Sequence, residues 1–69
     1  MVHNTPSDIN DIINDKLQLL RDFKLLGRRT NIVRKILARC NTELEMERKL
    51  YDVLHGNMTL EQLIQKEGY

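Results

Sequence analysis

The sequence predicts an all-α fold in which an antiparallel helical hairpin is followed by a short third helix. Residues 30–55 form the longest stretch without Gly or Pro, and their apolar residues recur at alternating steps of four and three. Residues 6–26 show the same spacing, which is that of one face of a helix. Because only a few residues separate these two stretches, the helices should pack as antiparallel neighbours.

The length of 69 residues fits one small domain, 1–69, that buries roughly 60% of its unfolded surface. Chains of this size usually gain stability from a disulfide, a metal or a partner. Cys40 is the only cysteine, so no internal disulfide is possible, and His3 and His55 have no thiolate pair to complete a metal site. The size therefore predicts association with a second copy or with a larger protein, and no metal.

Composition predicts a folded intracellular protein, cytoplasmic or nuclear. The net charge is +1, and a hydrophobic fraction of 41% is too high for a disordered chain. No secretory signal pattern and no apolar run of membrane-spanning length is present, so no membrane contact is expected. A single cysteine is compatible with a reducing compartment.

The first helix is expected over residues 6–26, after a frayed segment 1–5. Thr5 is a capping residue, Pro6 suits the first helical position, and Asp8 complements the positive end of the helix dipole. Gly27 is expected to end the helix in the left-handed conformation. Two apolar rows run along this helix. The first comprises Ile9, Ile13, Lys16, Leu20 and Phe23, and the second comprises Ile12, Lys16, Leu19, Phe23 and Leu26.

The second helix is expected over residues 30–55, capped by Thr30 or Asn31 and ended by Gly56. A turn centred near residue 28 pairs Phe23 with Val33, Leu20 with Leu37, and Ile13 with Leu44. One row comprises Val33, Leu37, Cys40, Leu44, Glu47, Tyr51 and Leu54, and the other Ile32, Ile36, Arg39, Glu43, Met46, Leu50 and Val53.

An alternative for this stretch is a break or kink near Asn41, because Thr42 and Glu45 have the spacing of a capping box. Since both rows keep their phase across this position, we favour a continuous helix.

The third helix is expected over residues 59–67. Thr59 and Gln62 form a capping box, Met58 is placed to pack on Leu63, and Gly68 ends the helix. A helix this short must dock to be stable. Its apolar face of Leu60, Leu63 and Ile64 is expected to cover the end of the hairpin near Ile9, Ile12, Leu50 and Leu54.

The two long helices have more apolar surface than a hairpin can bury, which predicts a partner-binding stripe. The third helix would cover only the Leu50 end, so Ile32 and Ile36 should remain exposed. The alternative is that the third helix and a wide core bury this surface. The predicted partner-binding residues are Leu17, Ile32, Ile36, Leu50 and Val53.

A basic cluster without any acidic residue lies between Asp22 and Glu43. It suits an acidic protein surface or nucleic-acid phosphates, although the near absence of aromatic residues removes a base-stacking platform. The alternative is a solvated face. The predicted contact residues are Arg28, Arg29, Arg34, Lys35 and Arg39, with Lys24 beside them.

Lys16 and Glu47 interrupt the apolar rows. Such residues either set register and oligomer state or lie at the core edge with their charged ends in water. Lys16 is expected to pair with Glu43, while Glu47 lacks an obvious cation and would meet Lys16 between subunits. Cys40, on an apolar row, is expected to behave as a small hydrophobic residue.

No glycine-rich phosphate loop and no histidine, acid and nucleophile at a catalytic spacing are present. The sequence therefore predicts a non-enzymatic interaction module without catalytic residues, cofactor or small-molecule substrate. It would be a small helical subunit or adaptor that homodimerises as a four-helix bundle or docks on a larger protein. The alternative function is a nucleic-acid-associated regulator that uses the basic cluster.

The segment from Phe23 to Val33, together with Met58 to Glu61, resembles small helical subunits of fungal chromatin-remodelling complexes. The similar residues are few and include no diagnostic motif, so no residue role is transferred from this resemblance.

Overall fold

The computed structural model describes residues 8–69, which form four helices and no strand, as predicted for an all-α fold. The predicted capping by Thr5 and Pro6 and the frayed segment 1–5 lie outside the described residues. The helices are α1 (Ile9–Asp22), α2 (Thr30–Ala38), α3 (Glu43–Leu54) and α4 (Leu60–Lys66).

Helix α1 ends at Asp22, four residues before the predicted end. Lys24 takes the left-handed conformation with φ of +59°. The Leu25 amide donates to the Leu20 carbonyl at 2.8 Å, and the Lys24 amide donates to the Arg21 carbonyl at 2.9 Å. These bonds form a Schellman motif, which ends the helix before Gly27 is reached. At the other end, Asp8 is the N-cap, so the helix begins at Ile9.

The second predicted helix is two helices, because α2 ends at Ala38 and α3 begins at Glu43. Thr42 is the N-cap of α3, and its hydroxyl oxygen accepts from the Glu45 amide at 3.2 Å. The Glu45 carboxylate also accepts from the Asn41 amide. The preferred continuous helix is therefore wrong, and the break at the capping box is confirmed. These bonds satisfy amides that the start of α3 would otherwise leave free.

The same cap gives a direct test of the break. We expect Thr42→Ala to lower the free energy of unfolding by about 1 kcal/mol, since the cap hydroxyl is lost. Thr30→Ala is the matched control, because Thr30 is the first residue of α2 and the N-cap of that helix, Arg29, makes no side-chain capping bond. Urea unfolding followed by circular dichroism measures both. A larger loss for Thr30→Ala would contradict a helix start at Glu43 and restore the predicted Thr30 cap.

The C-terminal end of α3 and both ends of α4 follow the prediction. Gly56 has φ of +78°, and the Asn57 amide donates to the Asp52 carbonyl at 2.8 Å. The Gln62 amide donates to the Thr59 hydroxyl at 3.1 Å, and the Thr59 amide donates to the Gln62 side chain at 2.9 Å. Helix α4 buries the expected face, Leu60, Leu63 and Ile64.

Helices α1 and α4 each pack against both α2 and α3. Arg29, before α2, pairs with Glu61 in the first turn of α4, and Arg39, after α2, donates to the carbonyl of Glu67. Because these contacts occur in the same order on both helices, α4 runs along the whole length of α2. The predicted docking place of the third helix, at the end of a hairpin, is wrong for this reason.

The core among the described residues contains apolar side chains and the Cys40 thiol but no charged group. Leu20 and Leu37, one of the predicted pairs, are both fully buried. Phe23 is 59% exposed and Leu44 is 55% exposed, so the predicted pairs with Val33 and Ile13 do not form in the core. The core comprises Ile13, Leu17, Leu20, Leu26, Val33, Ile36, Leu37, Cys40, Met46, Leu50, Val53, Leu60, Leu63 and Ile64.

Candidate protein-binding surface

The predicted partner-binding stripe lies mostly in the core. Leu17, Ile36, Leu50 and Val53 are each at most 2% exposed, and Ile32 is half-buried against the core. The expectation that Ile32 and Ile36 remain exposed is wrong, because α4 lies along α2 and covers it. The stripe is therefore not a surface of the folded single chain.

Most of the predicted basic cluster is occupied by contacts within the chain. Arg29 pairs with Glu61, and Arg34 donates to the Asn14 side chain at 2.9 Å. Arg39 donates to the Glu67 carbonyl at 3.0 Å, and its guanidinium lies 4.8 Å from the centre of the Tyr69 ring.

Within residues 8–69, Arg28 and Lys35 remain as exposed members of the cluster without a hydrogen-bonded partner. Within this range, only Arg29 is paired with an acid, and Arg34 and Arg39 keep their charge because their acceptors are neutral, so four of the five predicted cations can still attract phosphate.

A charged contact joins α1 to α3. The Lys16 ammonium lies 2.9 Å from a Glu43 carboxylate oxygen and 3.3 Å from a Glu47 oxygen. The predicted Lys16–Glu43 pair is confirmed, whereas Glu47 meets Lys16 within the chain and not between subunits. Burial lowers the pKa of Lys16, but the bonds to both glutamates outweigh burial, so the pKa is raised above 10.5.

Apolar rows extend along both helices from this contact. On α1 the row is Ile12, Leu19 and Phe23, at steps of three and four from Lys16, and on α3 it is Leu44, Tyr51 and Leu54, at the same steps from Glu47. We call these six residues, with Lys16, Glu43 and Glu47, the outer α1–α3 face.

The apolar residues of this face differ in exposure. Ile12, Leu19 and Leu54 are half-buried, whereas Leu44 and Tyr51 are 55% and 56% exposed. The Tyr51 ring lies 4.1 Å from the ring of His55, measured between centroids. A shallow cleft of about 320 Å³ lies between Leu44 and Tyr51. The face therefore offers large apolar side chains to a partner, above a partly buried floor.

The two rows run in the same direction. Lys16, in the middle of α1, contacts the first turns of α3. Lys24 and Leu25, just after α1, line a cleft together with Val53 and Gly56 at the end of α3. Two helices packed side by side leave a shallow groove on their solvent side. The ion pairs of Lys16 with Glu43 and Glu47 cross this groove.

The sequence contained a signal for this face that its interpretation missed. The rows are two of those recognised in the sequence, and each passes through a charged residue, Lys16 or Glu47. The neighbouring row of α3 passes through Glu43 in the first turn and is buried beyond it, at Met46, Leu50 and Val53. Lys16, Glu43 and Glu47 lie at the edge of the core, where the α1 and α3 rows meet.

The remaining features do not form a chemical site. The Cys40 thiol is 4% exposed, and burial raises its pKa, which makes it less reactive. Among residues 8–69, no three acidic, histidine or cysteine side chains are grouped to hold a metal ion. Within the same residues, no helix combines the length and hydropathy needed to cross a bilayer. The absence of catalytic residues and of a cofactor stays a prediction.

No protein-family model, no curated protein and no solved structure matches this sequence.

Proposed function

We propose that this chain is a non-enzymatic protein–protein interaction module that binds its partner through the outer α1–α3 face. The observation that carries the proposal is the exposure of Phe23, Leu44 and Tyr51 beside the half-buried residues of two parallel rows. Isolated exposed apolar residues are common in proteins, but aligned rows on neighbouring helices are typical of contact surfaces. Aromatic side chains such as Phe23 and Tyr51 are also enriched at such surfaces.

The partner is a different protein and not a second copy. Four exposed aspartates, Asp8, Asp11, Asp15 and Asp22, flank this face on α1, and within the face Glu43 and Glu47 outnumber Lys16. A symmetric dimer through this face would bring two such surfaces together, and like charges would oppose it. We therefore favour the subunit or adaptor role over the homodimer. Sedimentation of the purified chain checks this, since a concentration-dependent dimer would contradict it.

Photo-crosslinking tests the proposed surface in cells that naturally produce the protein. A photoreactive phenylalanine analogue replaces Tyr51 in one variant and Gln65, an exposed residue of α4, in the control. We expect a discrete crosslinked protein from the Tyr51 position and none from the Gln65 position. Equal crosslinking at both positions, or none at Tyr51, would contradict the proposal.

The nucleic-acid alternative is less well supported, because Arg29 is paired with Glu61 and residues 28–39 contain no aromatic side chain on which a base could stack. It stays a prediction of the sequence.

A further inference from the structure

We propose that the occupant of the outer α1–α3 face is a basic amphipathic helix of a partner protein. This inference rests on the proposed function and adds the shape and charge of the partner segment. It follows from three observations: the groove, the acidic residues beside it, and the absence of an apolar and basic complement elsewhere among residues 8–69.

The shape of the groove suits a helix. Two parallel helices leave a groove along their length, and α1, with 14 residues, is about 21 Å long. Leu44 and Tyr51 are seven residues apart, or about 10 Å along α3. Apolar anchors at helical spacing on the partner would match this separation, as in other helix-in-groove complexes.

The acidic residues of α1 form one stripe. Asp8, Asp11, Asp15 and Asp22 follow each other at steps of three, four and seven, so they share one side of the helix, and all four are exposed. This stripe borders the apolar row directly, because Asp15 lies three residues after Ile12 and four before Leu19.

The stripe has few cations near it to neutralise it. Of the two basic residues of α1, Lys16 is already bound to Glu43 and Glu47. Arg21 keeps its charge, but it donates to the neutral Gln18 side chain and forms no ion pair with these four aspartates. A partner helix in the groove would therefore place one flank against uncompensated carboxylates, which favours Lys or Arg on that flank.

The part of a second copy that the structure describes does not supply such a helix. Its basic residues are concentrated on α2 and the loops beside it. None of the large exposed apolar residues among residues 8–69 belongs to α2, so its basic surface lacks anchors for the groove. The partner segment is accordingly from another protein.

Two designed peptides test the charge of the occupant. Both are about 18 residues long, with leucine at one helical face and either lysine or glutamate at the other positions. We expect the lysine peptide to bind the full chain at least about tenfold more tightly than the glutamate peptide. We also expect it to shift the amide NMR signals of Asp15, Leu19 and Tyr51 while leaving that of Gln65 unchanged.

A charge-matched variant separates the effect of the acidic stripe on peptide binding from the effect of the overall charge of the chain. Asp15→Asn with Gln65→Glu keeps the net charge but moves one carboxylate from α1 to α4. If the stripe contacts the peptide, this variant binds the lysine peptide about two- to fivefold more weakly than the unaltered chain. Unchanged binding would mean that overall charge alone attracts the peptide and would overturn the proposal.

Other outcomes also overturn it. Equal binding of the two peptides, no binding of the lysine peptide, or signal shifts that fall outside the outer α1–α3 face would each exclude a basic helix as the occupant. The proposed function is judged separately by crosslinking at Tyr51. If Tyr51 crosslinks to a partner but the two peptides bind equally, the outer α1–α3 face is retained as the binding surface and the proposal that a basic helix occupies it is rejected.

Discussion

Replacing Ile36 with aspartate is expected to unfold the chain, although the sequence alone suggested that it would weaken association. The Ile36 side chain is 0% exposed and belongs to the core between α2 and its neighbours. Burying a carboxylate there without a partner costs roughly 4 kcal/mol or more. A domain of this size has little more stability than that. Circular dichroism at increasing temperature should show a loss of cooperative unfolding.

Asn31→Asp is the matched control for this substitution. Asn31 is exposed in the first turn of α2, where a negative charge complements the helix dipole. We expect its midpoint of unfolding to differ little from that of the unaltered chain. An Ile36→Asp variant that remained helical and cooperative, but associated less, would place Ile36 at an interface and contradict the core described above.

Much of the helical framework was predictable because its signals are local. Gly56 and the Thr59–Gln62 capping box act through bonds within a few residues of themselves. Such signals need no knowledge of the distant parts of the chain. The apolar face of α4 was predictable for the same reason.

The end of α1 was not predictable from residue preference. Lys24 occupies the left-handed position of the Schellman motif, where a residue with a side chain is disfavoured by about 1 kcal/mol. Gly27, three residues later, has the predicted left-handed conformation, with φ of +59°, but it lies in the connection and does not end the helix. Leu20 and Leu26, on either side of this turn, are at most 1% exposed. Their packing in the core offsets the cost of the left-handed conformation at Lys24.

The break at Thr42 shows how one local decision changes the whole surface. Both rows of residues 30–55 keep their phase, so periodicity favoured a single helix. Periodicity cannot separate a continuous helix from two helices whose apolar faces happen to align. With the break, Leu44 turns outward and Met46 inward, and α4 covers α2. The partner-binding residues were misplaced because they depended on this one choice.

The basic cluster illustrates a different limit. The sequence shows how many basic side chains are present, but not which of them make hydrogen bonds or ion pairs within the folded chain. Arg29 and Arg39 meet residues of the C-terminal segment about thirty positions away, and a linear pattern does not reveal such contacts. The ion pair of Lys16 and Glu43 was predictable because both residues interrupt apolar rows that must face each other.

Reversing the charge of Lys16 is expected to have the second-largest effect on stability. Lys16→Glu places a third carboxylate beside Glu43 and Glu47 in a side-chain position that is only 12% exposed. We expect a loss of roughly 2–3 kcal/mol in the free energy of unfolding near neutral pH, because an unpaired charge is largely removed from water. Lys16→Met, which keeps the aliphatic stem without the charge, should cost less.

Alkaline titration gives this prediction a distinct signature. Because the pKa of Lys16 is raised above 10.5 in the folded chain, its stabilisation is complete below that pH and is lost as the pH rises through the folded-state pKa. Lys49 has a raised pKa through its bond to Glu67, but it is present in both proteins of the comparison. The stability difference between the unaltered chain and Lys16→Met should therefore stay constant up to about pH 10 and narrow above it. A difference that did not change with pH would show that the charge of Lys16 does not stabilise the fold and would contradict the prediction.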